Sequence, residues 1–318
     1  MLSFFFFFVL VVGSNQVVHA VPLQNARNEI QLSQLQARGG GFDLPIRRTR
    51  LPSNIRRRKW KRQDVSGSTG LGNNNDLLYT VPIKLGSQVT AVHLDTGSSD
   101  LWAITDGCTT GSCTQLSPLT SSLPSASLNL TKTQVTMHYG DSFTGTTAAG
   151  TVAFDTATIA GIAITNQAFG AISSTTNTVV QFGAAGIFGL GFPSGSEVQE
   201  ALTSANTGPL VSTDDFVKDT WKYGPLLSRI SMTHMLKDPM FSIELQRSTI
   251  DITEGDNGQL TVGKLPDGVD TNSVTWVPVK LYTPEEGGLR APDFAKGEVY
   301  PFRWEIELEG VFLNGQKI

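Results

Sequence analysis

Cysteine, charge and long apolar runs are all scarce in this chain of 318 residues. The two cysteines, Cys108 and Cys113, sit close together in Asp-Gly-Cys-Thr-Thr-Gly-Ser-Cys. In an exported protein such a pair reads as a small disulfide loop, and zinc would need more ligands than this neighbourhood offers. The one strongly apolar run, Phe4 to Val12, is far too short to span a bilayer. Long helical periodicity is missing as well, which argues against a helical bundle. What remains is 39% hydrophobic residues, only 16% charged ones, 32 glycines and many Ser and Thr residues. That composition suits a β-rich soluble protein, long enough to bury a large core and to hold two domains.

The overall charge of −4 hides an asymmetry. Residues 21–62 carry 11 basic and 2 acidic side chains, a net of +9, while residues 63–318 carry 13 basic and 26 acidic, a net of −13. Opposite charges on two segments of one chain favour an intramolecular complex that weakens as carboxylates protonate. A nucleic-acid partner is disfavoured, because the acidic body would repel phosphate. Residues 1–20 read as a secretory signal: an apolar core, then Val18-His19-Ala20 before a cleavage point, although no positive side chain precedes the core. Residues 21–62 then read as a basic propeptide ending in Arg56-Arg57-Arg58-Lys59-Trp60-Lys61-Arg62, cut after Lys61-Arg62 by a dibasic processing protease. Residues 63–76, rich in Gly, Ser and Asn, form a flexible linker. Asn129-Leu130-Thr131 is an acceptor pattern for N-glycosylation, which fits export.

From Tyr79 onward, short alternating segments are broken by Gly, Ser and Asn. Tyr79 to Gly86 predicts a strand and turn, at an edge or bulge because Pro82 cannot donate a ladder hydrogen bond. Val135 to Phe154 predicts a hairpin with its tip at Tyr139-Gly140-Asp141-Ser142, and Thr151 to Ala171 continues as strands. Glu197 to Leu202 and Thr213 to Tyr223 are the better helix candidates. Met240 to Leu245 and Gly258 to Gly263 read as further strands. Pro225 to Asp238 and Pro284 to Val299 fit the β pattern poorly and read as surface insertions.

One stretch carries chemistry: Val89-Thr90-Ala91-Val92-His93-Leu94-Asp95-Thr96-Gly97-Ser98-Ser99-Asp100-Leu101-Trp102. A β-branched run delivers Asp95 into a tight Thr-Gly turn flanked by hydroxyls, which can hold its carboxylate by local donors. This resembles the N-terminal active-site motif D-T-G-S-S-D/N-L-W of the pepsin-like aspartic peptidases, and the similarity runs collinearly from about Tyr79 to Ile318. Gly186-Ile187-Phe188-Gly189-Leu190-Gly191-Phe192-Pro193 is similar to the family's Gly-Ile-Leu-Gly-Leu segment, with Ala185 where an acidic residue is often found. Ser273 to Val279 and Trp304 to Leu308 look like the early C-terminal lobe.

The resemblance implies a mainly β, bilobal fold, with the N-terminal lobe at 77–250 and the start of the C-terminal lobe at 251–318. It implies an acid-acting endopeptidase that activates water between two Asp carboxylates, with no metal and no organic cofactor. Asp95 would be catalytic. Thr96, Gly97 and Ser98 would support it, with Ser98 donating to its outer oxygen. Tyr139, Gly140 and Asp141 would form a flap over the substrate, Trp102 would pack behind it, and Ile187 would line the cleft or the core. Cys108 and Cys113 match the short disulfide loop that follows the first motif in the family. The implied partners are a protein or peptide substrate and the propeptide as an intramolecular inhibitor. The enzyme would be a monomer, secreted or held at the cell surface or in a vacuole.

The second Asp-Thr/Ser-Gly does not occur. After residue 200 the Asp-Thr pairs are Asp219-Thr220-Trp221 and Asp270-Thr271-Asn272. The expectation is a chain truncated before the second motif, inactive by itself. The alternative is a pepsin-fold binding or inhibitor protein, and a homodimer with one Asp per chain is a third reading. A retained Asp95, Ser98 and Tyr139 argue against the binding protein, and the C-lobe-like segments after Gly258 argue against the dimer.

Overall fold

A computed structural model describes residues 7–12, 16–19, 42–45, 47–48, 78–140, 144–232, 236, 240–245, 258–263, 265, 269–270, 272, 274–308, 310–313 and 316–317. Lys61, Arg62, the linker 63–76 and Asp141 lie outside these residues. In chain order the strands are β1 (Phe7–Val12), β2 (Gln16–His19), β3 (Phe42–Pro45), β4 (Arg47–Arg48), β5 (Tyr79–Leu85), β6 (Gln88–Asp95), β7 (Leu101–Ile104) and β8 (Thr110–Gly111). They are followed by β9 (Asn129–Tyr139), β10 (Thr146–Ile159), β11 (Ile162–Thr175) and β12 (Gly186–Gly189). Three helices come next, α1 (Glu197–Thr207), α2 (Thr213–Tyr223) and α3 (Leu226–Met232). The last strands are β13 (Met240–Leu245), β14 (Gly258–Val262), β15 (Thr275–Trp276), β16 (Phe312–Leu313) and β17 (Gln316–Lys317). The fold is mainly β.

The larger sheet runs β4-β5-β6-β12-β7-β11-β10-β9, with β8 beside β11. Period-2 burial explains most of it. Along β5, Val81, Ile83 and Leu85 are buried while Lys84 is exposed. Pro82 pairs with Ala91 of β6. On its other side β4 reaches only Tyr79 and Thr80, so among the described residues the proline costs no ladder bond. Strands β9 and β10 form the expected hairpin, with Tyr139 opposite Thr146, and β10 folds back on β11 with Ile159 opposite Ile162. The smaller sheet runs β15-β2-β1-β13-β14-β3, and β16 and β17 form a short ribbon.

Helix α1 begins at the N-cap Ser196, whose side chain accepts from the Gln199 amide, and ends at Gly208 with φ 99. It runs a turn past the predicted Leu202 because its inner face continues: Leu202 and Thr203 are both buried. Helix α2 occupies the predicted residues, capped by Ser212 with Asp214 and Asp215 in its first turn.

The segment from Pro225 is not a surface insertion over its first half. It forms α3, whose Leu226, Leu227 and Ile230 sit in the core with Phe241, Ile243, Leu260 and Val262. Arg229 on the opposite side donates to the carbonyls of Asn166, Thr165 and Trp221. Residues 284–299 instead contain two single 3-10 turns, Pro284–Glu286 and Asp293–Ala295, and are mostly exposed.

Candidate active site

Strand β6 ends at Asp95, and the chain reverses before β7 begins at Leu101. β12 lies between these two strands, parallel to β6 and antiparallel to β7. The loop 96–100 is therefore folded over the Gly186–Gly189 strand. Its close approach requires glycine at position 189: a Cβ there would lie 2.4 Å from the carbonyl carbon of Ser99. Beyond β12 the contact continues as a set of long-range bonds. The Leu190 amide donates to the Asp95 carbonyl at 2.7 Å, the Gly191 amide to the Ser98 carbonyl at 2.7 Å, and Ser99 Oγ to the Phe192 carbonyl at 2.7 Å.

Within this loop the Asp95 carboxylate is half-exposed and held on both oxygens. The Gly97 amide donates to Oδ1 at 2.8 Å, and Ser98 Oγ donates to Oδ2 at 2.6 Å. Two donors, one on each oxygen, fix the orientation of the carboxylate. Thr96 is exposed. His93, two residues earlier on the same strand, donates Nδ1–H to the Tyr79 carbonyl at 3.0 Å. Burial pushes its pKa below the ordinary imidazole value, partly offset by the Asp95 charge and the Tyr79 carbonyl.

Trp102 is fully buried on β7 and donates Nε1–H to Tyr139 Oη at 2.7 Å, the rings tilted at a centroid distance of 6.5 Å. The phenol oxygen accepts in this bond, so its own hydrogen is left for another acceptor. Burial, then the nearby Asp100 charge, raises the Tyr139 pKa well above the ordinary phenol value, so it stays a protonated donor. Gly140 follows at φ 78, a left-handed turn that glycine adopts without strain. Ile187 is buried between His93 and Trp102 on the neighbouring strands. Cys108 and Cys113 form a disulfide with Cα atoms 5.8 Å apart. Asp219 is on α2 and accepts from Thr203 Oγ1 at 3.0 Å, and Asp270 accepts from the Asn272 amide at 2.9 Å. Among the described residues no cluster of His, Cys, Asp and Glu is arranged to hold a metal ion.

Three residues outside the predicted set belong to the same construction. Asp100, 4% exposed, accepts from Ser196 Oγ, the Glu197 amide at 2.7 Å and the Val198 amide at 3.3 Å. It thereby ties the start of α1 to the start of β7. Burial raises its pKa to about 6 despite those donors. Glu197 reaches His138 of β9, and Trp304 donates to the Leu190 carbonyl at 3.0 Å. Asp100 lay inside the recognised motif. The other two depend on contacts with residues far away in sequence.

Residues 78–318 match the family model described as eukaryotic aspartyl protease. The chain belongs to that family. Among curated relatives, an aspartic protease of Phaffia rhodozyma is 27% identical over 246 residues, covering 77% of this chain and 46% of that protein. Embryonic pepsinogen of Gallus gallus is 27% identical over 251 residues, covering 77% and 51%. The aspartic proteinase of Irpex lacteus, a solved structure, aligns at TM-score 0.46 and 22% identity, covering 67% of this chain and 52% of that one. The chain spans about half the length of the curated relatives it matches.

Proposed function

We propose that residues 77–318 carry one half of the active site of a secreted, acid-acting aspartic endopeptidase, with Asp95 as one of its two catalytic carboxylates. The observation that carries this reading is the Asp95 carboxylate, oriented by the Gly97 amide and Ser98 Oγ in a loop locked over β12. In the general chemistry of aspartic proteases, two neighbouring carboxylates share one proton. The ionised one takes a proton from a water as it attacks the peptide carbonyl, and the protonated one gives its proton to the carbonyl oxygen. The Gly97 amide and Ser98 Oγ orient Asp95 for the base role. Thr96, exposed at the loop, is assigned to pair with the matching loop of the second lobe. Tyr139, Gly140 and Asp141 form the flap, with the Tyr139 hydroxyl as a donor towards an extended protein or peptide substrate. No metal or organic cofactor is required by this chemistry.

The second carboxylate is assigned to sequence outside residues 1–318, since the two later Asp-Thr pairs lack the following glycine. Residues 21–62 act as the intramolecular inhibitor, and their net charge of +9 against −13 supports this. So does the backbone pairing of β3 with β14 and of β4 with β5, both strands lying inside that segment. Maturation removes residues 1–20 and then 21–62, with cutting after Lys61-Arg62, and gives a secreted monomer.

Reading the transcript past the codon for Ile318 tests the dyad: an Asp-Thr/Ser-Gly within a few tens of codons is expected. With that sequence included, Asp95→Asn should lower hydrolysis of an unfolded protein near pH 4 by at least about a thousandfold. A stop codon after Ile318, or full activity in the Asn variant, would hand the chain to the non-catalytic binding-protein reading.

A further inference from the structure

Strand β9 ends in two adjacent residues held from opposite sides. Tyr139 is taken by Trp102, as described. His138, whose side chain points the other way, is taken by Glu197: its main-chain amide donates to Oε2 at 2.9 Å and its ring Nδ1 to Oε1 at 2.7 Å. A carboxylate offers only acceptors here, so Nδ1 carries the hydrogen. β9 is the edge of the larger sheet among the described residues, and the amide of His138 faces outward, away from β10. An edge amide of this kind otherwise meets water.

Exposed ion pairs between two mobile side chains contribute little, and the side chains of His138 and Glu197 are 68% and 36% exposed. This pair differs in how both ends are anchored. One of the two bonds is to the main chain of the strand. Glu197 itself leaves from a fixed point, since its own amide is bonded to the buried Asp100. Farther along the same face, a groove of about 300 Å³ lined by Gln134, Thr136, Glu200 and Ser204 parts the strand from α1. Glu197 spans that gap at its flap end. The contacts close a ring: Asp100 to Glu197, Glu197 to His138, His138 to Tyr139 through the chain, Tyr139 to Trp102, and Trp102 back to Asp100 two residues earlier.

We propose that Glu197 is a positioning residue for the flap, acting through His138. It fixes the outer side of β9 while Trp102 fixes the inner side, so that Tyr139 is held at a set position at the end of the strand. The proposal rests on the reading of Tyr139 as the flap residue. It adds that the strand below the tip is static, held by α1 and the start of β7.

The test uses the full 318-residue chain, with Glu197→Ala and Glu197→Gln variants, and reads hydrogen exchange by mass spectrometry together with the Trp102 indole N–H resonance. The indole signal is assigned with Trp102→Phe. In Glu197→Ala the segment around His138 should exchange about tenfold faster, as expected for losing a charge-assisted bond. The Trp102 indole signal should shift towards that of a weaker hydrogen bond. Segments 81–94 and 201–207 should exchange as in the wild type. Glu197→Gln, which keeps one acceptor for the amide, should fall between. Unchanged exchange at His138 in both variants would overturn the proposal. So would an unshifted Trp102 signal, or a uniform acceleration in which α1 melts as well, since that outcome marks a purely structural role. Neither readout measures hydrolysis, so failure here is distinct from failure of the Asp95 reading.

Discussion

Trp304 donates its indole N–H to the carbonyl of Leu190, whose own amide donates to the carbonyl of Asp95. The same indole lies against Phe192 at a centroid distance of 4.3 Å and meets the edge of Phe241 at 5.6 Å. It therefore bridges the Leu190–Phe192 segment, which is bonded to the Asp95 loop, and the smaller sheet that carries Phe241. Trp304→Phe keeps the ring contacts and loses one hydrogen bond, at a cost of about 1 kcal/mol. Trp304→Ala, at a half-buried position, should cost about 2–3 kcal/mol. Urea unfolding of the three proteins checks this, and equal midpoints would remove Trp304 from the bridge.

Asp100 and His93 give the stability of the fold two opposing responses to pH. The folded-state pKa of Asp100 is raised from 3.8 to about 6. Below pH 3.8 its stabilising contribution is fully present. As pH rises through about 6 the folded state must ionise a buried carboxyl, and the contribution is lost, on the order of 3 kcal/mol. For His93 the shift is downward, so its contribution is complete above about 6.5 and is lost as pH falls below that. Asp100→Asn should therefore gain on the wild type as pH goes from 3.5 to 7, and His93→Gln should gain in the reverse direction. Denaturant midpoints at pH 3.5, 5 and 7 measure both. A difference between Asp100→Asn and wild type that stays constant over that range would contradict the assignment.

The Cys108–Cys113 bridge closes a loop of only five residues' separation, and both sulfurs' residues are buried. On chain-entropy grounds so small a loop contributes about 2 kcal/mol. The double variant Cys108→Ser with Cys113→Ser should lose that much in urea unfolding while the exchange protection of the Gly97 and Gly191 amides stays as it was. Protection lost at those two amides would mean that the bridge supports the site directly.

The hairpins were legible because their evidence is local. Alternation along Tyr79–Leu85 and Gln134–Tyr139, with glycine at the turns, marks strands without reference to the rest of the chain. The Asp95 loop was legible for the same reason, since both carboxylate donors come from the next three residues. Helix α2 occupies one of the two segments named as helix candidates, and the structure caps it with Ser212 and an acidic first turn. Helix α3 was not legible, because it is short, follows a proline and owes its existence to a core contributed by Phe241 and Leu260. The roles of Asp100 and Glu197 were hidden for a related reason: their partners lie 96 and 59 residues away. Distance along the chain, rather than chemistry, set what could be read.

That distance has a consequence for how the protein is made. Ser99 reaches its acceptor, the carbonyl of Phe192, across 93 residues, and β12 lies inside the loop that Asp95 begins. On a ribosome adding 5–20 residues each second, the Asp95 loop waits roughly 5–20 s for the strand that shapes it. A nascent chain stalled with Gly186 still in the exit tunnel should leave the Gly97 amide exchanging freely, and one stalled well past helix α3 should protect it. The aspartate would thus acquire its geometry only after nearly all of β5 to β12 has left the ribosome.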